Sequence, residues 1–251
     1  MKNSEFIKKV EDKMKGNLLK SSIYTFLFMI IINLFCFMVN LIPIVGIIIS
    51  IIIIVPMNFG FEKMMMLLLN GEKIKFFDFV KHGFENFLKV WHTGLLLILE
   101  FLLPVTLLIL GSVLLNMPNW LWIGAIILFV AIMIYIVFYL RYTLISYELA
   151  YNPDKKPKEL IEGARNNIEG NIGRYIYIIL YYTAILLLEM FLLAIIVLIS
   201  SAYIVSSPTY YTTIGKIGLQ LMNLIIYVPS FSIKPMIIGA INELYKDMIE
   251  K

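Results

Sequence analysis

The sequence predicts an all-α integral membrane protein with six transmembrane helices, arranged as three helical hairpins, and with amphipathic helices in the cytoplasmic interface. Hydrophobic residues make up 61% of the chain and charged residues only 15%, whereas a soluble domain carries about 25% charged residues. The apolar residues form long runs, and the Lys and Arg residues cluster in alternate gaps between them. These three observations together indicate a multi-pass protein of the cell membrane.

Six apolar runs are each long enough to cross a bilayer, which takes about 20 residues. They are 21–41, 44–69, 91–115, 120–149, 175–203 and 217–241. Short uncharged gaps alternate with longer charged ones, and no gap is long enough to fold as a soluble domain. Residues 1–251 are therefore expected to form a single polytopic membrane domain.

The distribution of Lys and Arg predicts how these spans are oriented. Of the 21 Lys and Arg residues, six lie in the N-terminal tail, five between 63 and 89, six between 141 and 174, and three from 234 onwards. Only Lys216 falls on the other side. Because the Lys- and Arg-rich side faces the cytoplasm, we expect both termini there. The net charge of +4 then indicates contact with anionic lipids on the cytoplasmic face rather than nucleic-acid binding.

The charged segments on the cytoplasmic side have the spacing of amphipathic helices. Between the second and third runs, apolar residues recur every three or four positions, at Phe77, Val80, Phe84, Leu88 and Trp91. The N-terminal tail repeats this spacing at Ile7, Val10 and Met14, and the segment after Pro157 at Leu160, Ala164 and Ile168. We expect these helices to lie in the membrane interface, with their apolar residues toward lipid or the bundle, and to lead into the odd spans.

This layout suggests three copies of one unit: interfacial helix, span, outer turn and span. The candidate repeats are 1–73, 74–154 and 155–251. Similar four-residue elements precede the odd spans, beginning at Asn17, Asn86 and Asn171, and asparagines close the even spans at Asn70, Asn152 and Asn242. The alternative is that Asn and Lys flank the spans of most membrane proteins, so the echoes alone do not establish a repeat.

Enzyme signatures are nearly absent from the sequence. His82 and His92 have no Cys or carboxylate at metal-ligand spacing, and the lone Cys36 excludes an internal disulfide and a thiolate metal site. No phosphate-binding glycine loop, hydrolase nucleophile elbow or kinase motif set occurs. We therefore expect no catalytic residues, no cofactor, no metal and no enzymatic activity.

Charged residues inside the apolar runs form a candidate intramembrane polar site. They are Glu100, Arg141, Glu189 and Lys234. At about 1.5 Å per residue, all but Glu189 lie roughly 12–16 Å from the cytoplasmic ends of their spans. An unpaired charge at the bilayer centre costs about 2.5–3.5 kcal/mol on insertion scales, so these side chains should face the bundle interior. Either they line a polar cavity or bind a partner's polar group, or Glu100 forms a structural pair with Arg141 or Lys234.

Prolines and glycines are predicted to interrupt the even spans. Pro56 and Gly60 fall in the second run, and Pro229 and Pro235 in the sixth. A proline inside a span frees a backbone carbonyl and bends the helix. Such breaks either create a binding site or allow kinked helices to pack into a compact bundle.

Two stretches resemble an uncharacterised bacterial family of six-span integral membrane proteins. In 142–181, YTLISYELAYNPDKKPKELIEGARNNIEGNIGRYIYIILY, a span ends in Asn-Pro, a short helix follows, and a Gly-Asn element opens the next span. The other stretch is 60–87, GFEKMMMLLLNGEKIKFFDFVKHGFENF. The family is related to YciC-like proteins and to the membrane domain of glycerophosphodiester phosphodiesterase. The resemblance implies a six-span helical bundle and supplies no catalytic residues.

Two functions are compatible with the sequence. The first is a non-enzymatic protein that contacts other membrane components, including a membrane protein partner, in an accessory or immunity-type role for a peptide exporter or a membrane-active peptide. The absence of a catalytic set and the very short outer loops favour it. The alternative is a small-molecule or ion transporter, or a channel, that uses the four intramembrane charges. A co-purified partner favours the first, and charge-dependent flux in liposomes favours the second.

Overall fold

A computed structural model describes residues 3–42, 44–206 and 228–250, and these form helices without any strand. The α-helices are α1 (Asn3–Met14), α2 (Leu18–Val39), α3 (Val45–Leu69), α4 (Asp78–Glu85), α5 (Phe87–Leu115), α6 (Leu121–Tyr142), α7 (Ile145–Tyr151), α8 (Pro157–Ile168), α9 (Ile172–Ser206) and α10 (Val228–Ile249). A short 3-10 helix, Pro118–Trp120, precedes α6. The all-α prediction is confirmed for the described residues.

Five segments of the described chain are long and apolar enough to cross a membrane. They are Leu18–Val39, Val45–Leu69, Phe87–Leu115, Pro118–Tyr151 and Ile172–Leu198. Large apolar side chains such as Leu99, Phe129 and Leu188 are exposed on them, as expected for surfaces that contact lipid. The chain is therefore a multi-span helical membrane protein. The predicted sixth span, 217–241, lies outside the described residues up to position 227, and α10 covers the remainder.

The fourth predicted span consists of two helices rather than one. Helix α6 ends at Tyr142, and α7 begins at Ile145. Leu144, between them, is completely buried. Most of α7 is buried as well, including Glu148, so this short helix packs within the unit, whereas α6 exposes most of its apolar side chains.

Contacts within the chain divide it into two compact units. The first unit comprises Met1–Phe37, Met65–Ile74 and Arg174–Leu244. The second comprises Met38–Met64, Lys75–Gly173 and Tyr245–Lys251.

In the first unit, α1 packs through the apolar face that its sequence predicts. Ile7, Val10 and Met14, which were expected to face lipid or the bundle, are all buried in the protein. Lys13 forms an ion pair of 2.6 Å with Glu243 of α10. Gly239 leaves room for Met14, since a Cβ at that glycine would lie 2.5 Å from the Met14 sulfur. The amphipathic pattern of α1 thus reflects packing on α10.

In the second unit, α4 packs through Phe79 and Gly83 rather than through Phe77 and Phe84. Phe79 and Gly83 are buried, whereas Phe77 is 67% exposed and Phe84 is 44% exposed. The cause is a close contact with α3, because a Cβ at Gly60 would overlap the carbonyl oxygen of Phe79. Phe77 and Phe84 therefore do not pack into the bundle, and their contact with lipid stays a prediction.

Helix α3 runs from Val45 to Leu69 without a break. The broken-helix alternative for Pro56 and Gly60 is therefore wrong, and the kinked-helix alternative stays a prediction. A proline removes one helical hydrogen bond, and the remaining bonds together with the packing at Gly60 keep the helix continuous. Pro235 is likewise contained within α10.

Candidate functional site

The four charged residues predicted inside the spans are divided between the two units. Glu100 on α5 and Arg141 on α6 belong to the second unit. Glu189 on α9 and Lys234 on α10 belong to the first. The Lys234 ammonium lies 5.9 Å from the centroid of the Phe28 ring, within the range of a cation–π interaction.

Glu100 contacts the residue that follows Arg141 instead of Arg141 itself. The Tyr142 hydroxyl donates a hydrogen bond of 3.4 Å to the Glu100 carboxylate. The ion pairs described within the second unit do not include Glu100 with Arg141. The alternative pairing with Lys234 involves residues of both units and stays a prediction.

Glu100 lies at a cavity of about 280 Å³ formed by three helices of the second unit. Helix α5 contributes Leu96, Leu99 and Glu100, α6 contributes Tyr142, and α8 contributes Lys158, Ile161, Glu162 and Arg165. The cavity therefore joins the side of a predicted span to the amphipathic helix α8. We take it as the candidate functional site and call it the interfacial cavity.

Local sequence signals explain why α8 forms beside this cavity. Pro157 occupies the first helical turn, where its missing N–H has no consequence. The Glu159 carboxylate accepts a hydrogen bond of 2.9 Å from the Lys156 backbone N–H, which stabilises the helix start. The buried residues of α8 include all three that the sequence predicted, so the helix packs through its apolar face. Its polar residues at the cavity are Lys158, Glu162 and Arg165, which are four and three positions apart and therefore lie on one face of the helix.

The interfacial cavity carries charges of both signs. Lys158 and Arg165 supply positive charge, and Glu100 and Glu162 supply negative charge. Leu99, which is 67% exposed, extends the lining onto the lipid-facing surface. Guanidinium and ammonium groups bind carboxylates and phosphates, and carboxylates bind ammonium groups. The cavity can therefore hold the polar end of an amphiphile whose apolar part lies along α5.

A buried carboxylate in the second unit was not singled out by sequence reasoning. Glu148 on α7 is completely buried. Its oxygens accept hydrogen bonds from Asn152 at 3.1 Å, Lys155 at 2.6 Å, Asn167 at 2.9 Å and the Tyr245 hydroxyl at 2.6 Å. Gly163 packs against it, since a Cβ there would lie 2.6 Å from Oε1. A buried charge needs such partners, and this degree of saturation indicates a structural role.

Part of this network was visible in the sequence. Glu148 precedes Asn152 by four residues, which places the two side chains on one helix face. Asn167 and Tyr245 lie 19 and 97 residues away from Glu148. Local spacing could therefore identify the contact with Asn152, whereas only the tertiary fold brings Asn167 and Tyr245 to Glu148.

The described residues contain no group of three or more His, Cys, Asp or Glu side chains that could hold a metal ion. No protein-family model matches the chain, and no curated protein or solved structure matches it significantly. The resemblance to YciC-like proteins therefore rests on residues 60–87 and 142–181 together with the pattern of spans.

Proposed function

We propose that this chain is a non-enzymatic, six-span protein of the cell membrane that binds another membrane component at the interfacial cavity. Both termini are cytoplasmic in this proposal, and the fold is that of the bacterial family related to YciC-like proteins. The observation that carries the proposal is the composition of the cavity. It combines charged side chains of both signs with leucines that continue onto the lipid-facing side of α5.

A membrane-inserted peptide, or a segment of a membrane protein partner, suits this composition best. Its apolar residues would lie against Leu96 and Leu99, and its charged residues would reach Glu100 and Arg165. A peptide carries ammonium and carboxylate groups at its ends and on its side chains, so it can pair with both kinds of charge in the cavity. This match supports the accessory or immunity-type role.

Site-specific photocrosslinking in intact cells tests this proposal. A benzoylphenylalanine placed at Leu99 lies at the cavity, whereas one placed at Leu103 lies one turn further along α5 with similar exposure, 60% against 67%. We expect a peptide or protein adduct at position 99 that is absent at position 103. The combined Glu100→Gln and Arg165→Gln changes should remove it. The same adducts at both positions, or lipid adducts alone, would contradict the proposal.

Flux measurements on the purified protein in liposomes separate this proposal from the transport alternative. We expect no movement of small ions or solutes above that of empty liposomes. Flux that depends on Glu100 and Arg141 would replace the proposed binding role with transport.

A further inference from the structure

A second cavity in the second unit lies between α3, α5 and the start of α7. Its volume is about 200 Å³. Apolar residues such as Phe59, Val90 and Leu149 line it, and these belong to the buried core of the unit. Gly94 on α5 adds to the open space, because no atom lies within 4 Å of where its Cβ would be. No residue of this cavity lines the interfacial cavity.

One polar side chain at this cavity has no partner in the protein. Thr93 is 2% exposed, and its buried hydroxyl makes no hydrogen bond. A buried polar group without a partner destabilises the folded state, and such groups are rare in folded proteins. A ligand that bonds to Thr93 would remove this destabilisation.

The other polar groups at the cavity specify the charge of that ligand. The Glu62 carboxylate is the only charged side chain among the described residues that line it. Asn58, one turn earlier on α3, and Ser146, on α7, also line the cavity and carry oxygen acceptors. An ammonium group has three donors and no acceptor, so it matches a set made of a carboxylate, an amide oxygen and two hydroxyls.

We propose that this cavity binds a small organic cation, consisting of a primary ammonium group on a short apolar body. The ammonium bonds to Glu62 and Thr93, and the apolar body packs on Phe59 and Leu149. The volume of about 200 Å³ is below the roughly 300–1,000 Å³ of pockets for drug-sized ligands. A compact amine therefore fits the space, whereas a bare metal cation would leave the apolar walls uncovered.

Titration of the purified full-length protein with 2-phenylethylamine tests this inference, with the uncharged 2-phenylethanol as matched probe. We expect the amine to raise the thermal midpoint in a saturable manner and the alcohol to have no saturable effect. Glu62→Gln should weaken amine binding at least tenfold. Glu162→Gln, which removes a carboxylate from the interfacial cavity instead, should leave it unchanged.

Thr93→Val provides a second test with two opposite expected effects. The change is close to isosteric and removes a hydroxyl that has no partner, so the ligand-free protein should unfold at a higher temperature. The same variant should bind the amine about fivefold more weakly, because the ammonium loses one acceptor. Thr93→Ser should retain wild-type affinity.

Three results would overturn the inference. The first is equal affinity for the amine and the alcohol. The second is an amine affinity that neither Glu62→Gln nor Thr93→Val changes. The third is that sodium ions compete with the amine, and that Glu62→Gln weakens sodium binding as much as amine binding. The last result would identify an inorganic cation as the occupant. None of these results bears on the photocrosslinking at Leu99, so the two proposals fail independently.

Discussion

The indole N–H of Trp91 donates a hydrogen bond of 3.1 Å to the backbone carbonyl of Ile52. Ile52 lies four residues before Pro56, and proline has no N–H to donate within the helix. The carbonyl of Ile52 is therefore the one that Pro56 leaves without its helical partner. Trp91 on α5 supplies the missing donor to α3, so the proline creates a contact between two predicted spans.

Trp91→Phe should destabilise the protein, because the ring remains but the donor is lost. An intramolecular hydrogen bond contributes about 0.5–1.5 kcal/mol, and leaving the carbonyl without a partner in an apolar environment can cost more. Denaturation by sodium dodecyl sulfate in mixed micelles measures the change. Trp122→Phe is the control, because Trp122 is 80% exposed. Equal stability of both variants would show that the Trp91 bond contributes nothing.

Gly60→Ala should destabilise the protein by about 1–3 kcal/mol or more, as overpacking does elsewhere. The new methyl group would overlap the backbone of α4 at Phe79 and Gly83, which cannot rotate away as a side chain can. Gly94→Ala, also within a helix, meets no atom within 4 Å and should be neutral or slightly stabilising. Thermal unfolding in detergent compares the two. A neutral Gly60→Ala would contradict the direct contact of α3 with α4.

Tyr245→Phe should lower the free energy of unfolding by about 1.5–3 kcal/mol, the range for a hydrogen bond to a charged group. Tyr139→Phe, at a 54% exposed tyrosine of α6, should change little. Equal losses in the two variants would contradict a specific role for the bond to Glu148.

Alkaline pH should reduce the difference in unfolding free energy between the wild type and Tyr245→Phe. Burial, and then the hydrogen bond to Glu148, raise the pKa of Tyr245 above its usual value. In the unfolded chain the phenol ionises near its ordinary pKa of 10.0, whereas the folded state keeps it protonated. The difference in unfolding free energy should therefore be constant below about pH 9 and decrease above pH 10. A difference that does not depend on pH up to 11 would contradict the raised pKa.

Cysteine labelling tests the predicted topology. In a protein with Cys36 replaced by Ser, cysteines at Ser4, Lys81 and Lys158 should react only from the cytoplasm. Cysteines at Asn119 and Thr212, the second of which lies outside the described residues, should react only from outside. Labelling of position 158 from outside, or of position 212 from inside, would contradict six spans with cytoplasmic termini.

Spin labels on α4 test whether its exposed phenylalanines contact lipid. A label at Phe84 should be accessible to oxygen, which partitions into the bilayer, and a label at Lys81, whose side chain is 70% exposed, to a water-soluble relaxation agent. Equal accessibility of both positions to the water-soluble agent would place α4 in solvent.

The sequence predicted the helical elements well, because each carries its own signal. The first five apolar runs correspond to segments long and apolar enough to cross a membrane. The amphipathic spacing identified α1 and α8 together with their buried faces. It also predicted α4 but left open whether Phe77, Val80 and Phe84 face lipid or the bundle, and the close approach at Gly60 and Gly83 selects the side that packs. Glycine adds nothing to a pattern of apolar side chains, so the spacing could not reveal this contact.

The candidate site was predicted in part. Glu100 was singled out because a charge inside an apolar run is costly. The other charged residues at the cavity, Lys158, Glu162 and Arg165, lie on α8, about 60 residues further along the chain. Charged residues are ordinary on the polar face of an interfacial helix, so nothing in this segment of the sequence linked them to Glu100.

The sequence alone thus determined which segments are apolar enough to leave water and which helices are amphipathic, because transfer free energy and helical periodicity are properties of a segment by itself. Only the tertiary structure decided which polar groups meet. It joined Tyr245 to Glu148 and Trp91 to the carbonyl of Ile52, and it placed Glu100 and the charges of α8 at one cavity. These contacts depend on how helices distant in the chain pack, and a buried carbonyl or carboxylate can be satisfied by donors from any element that comes within about 3 Å.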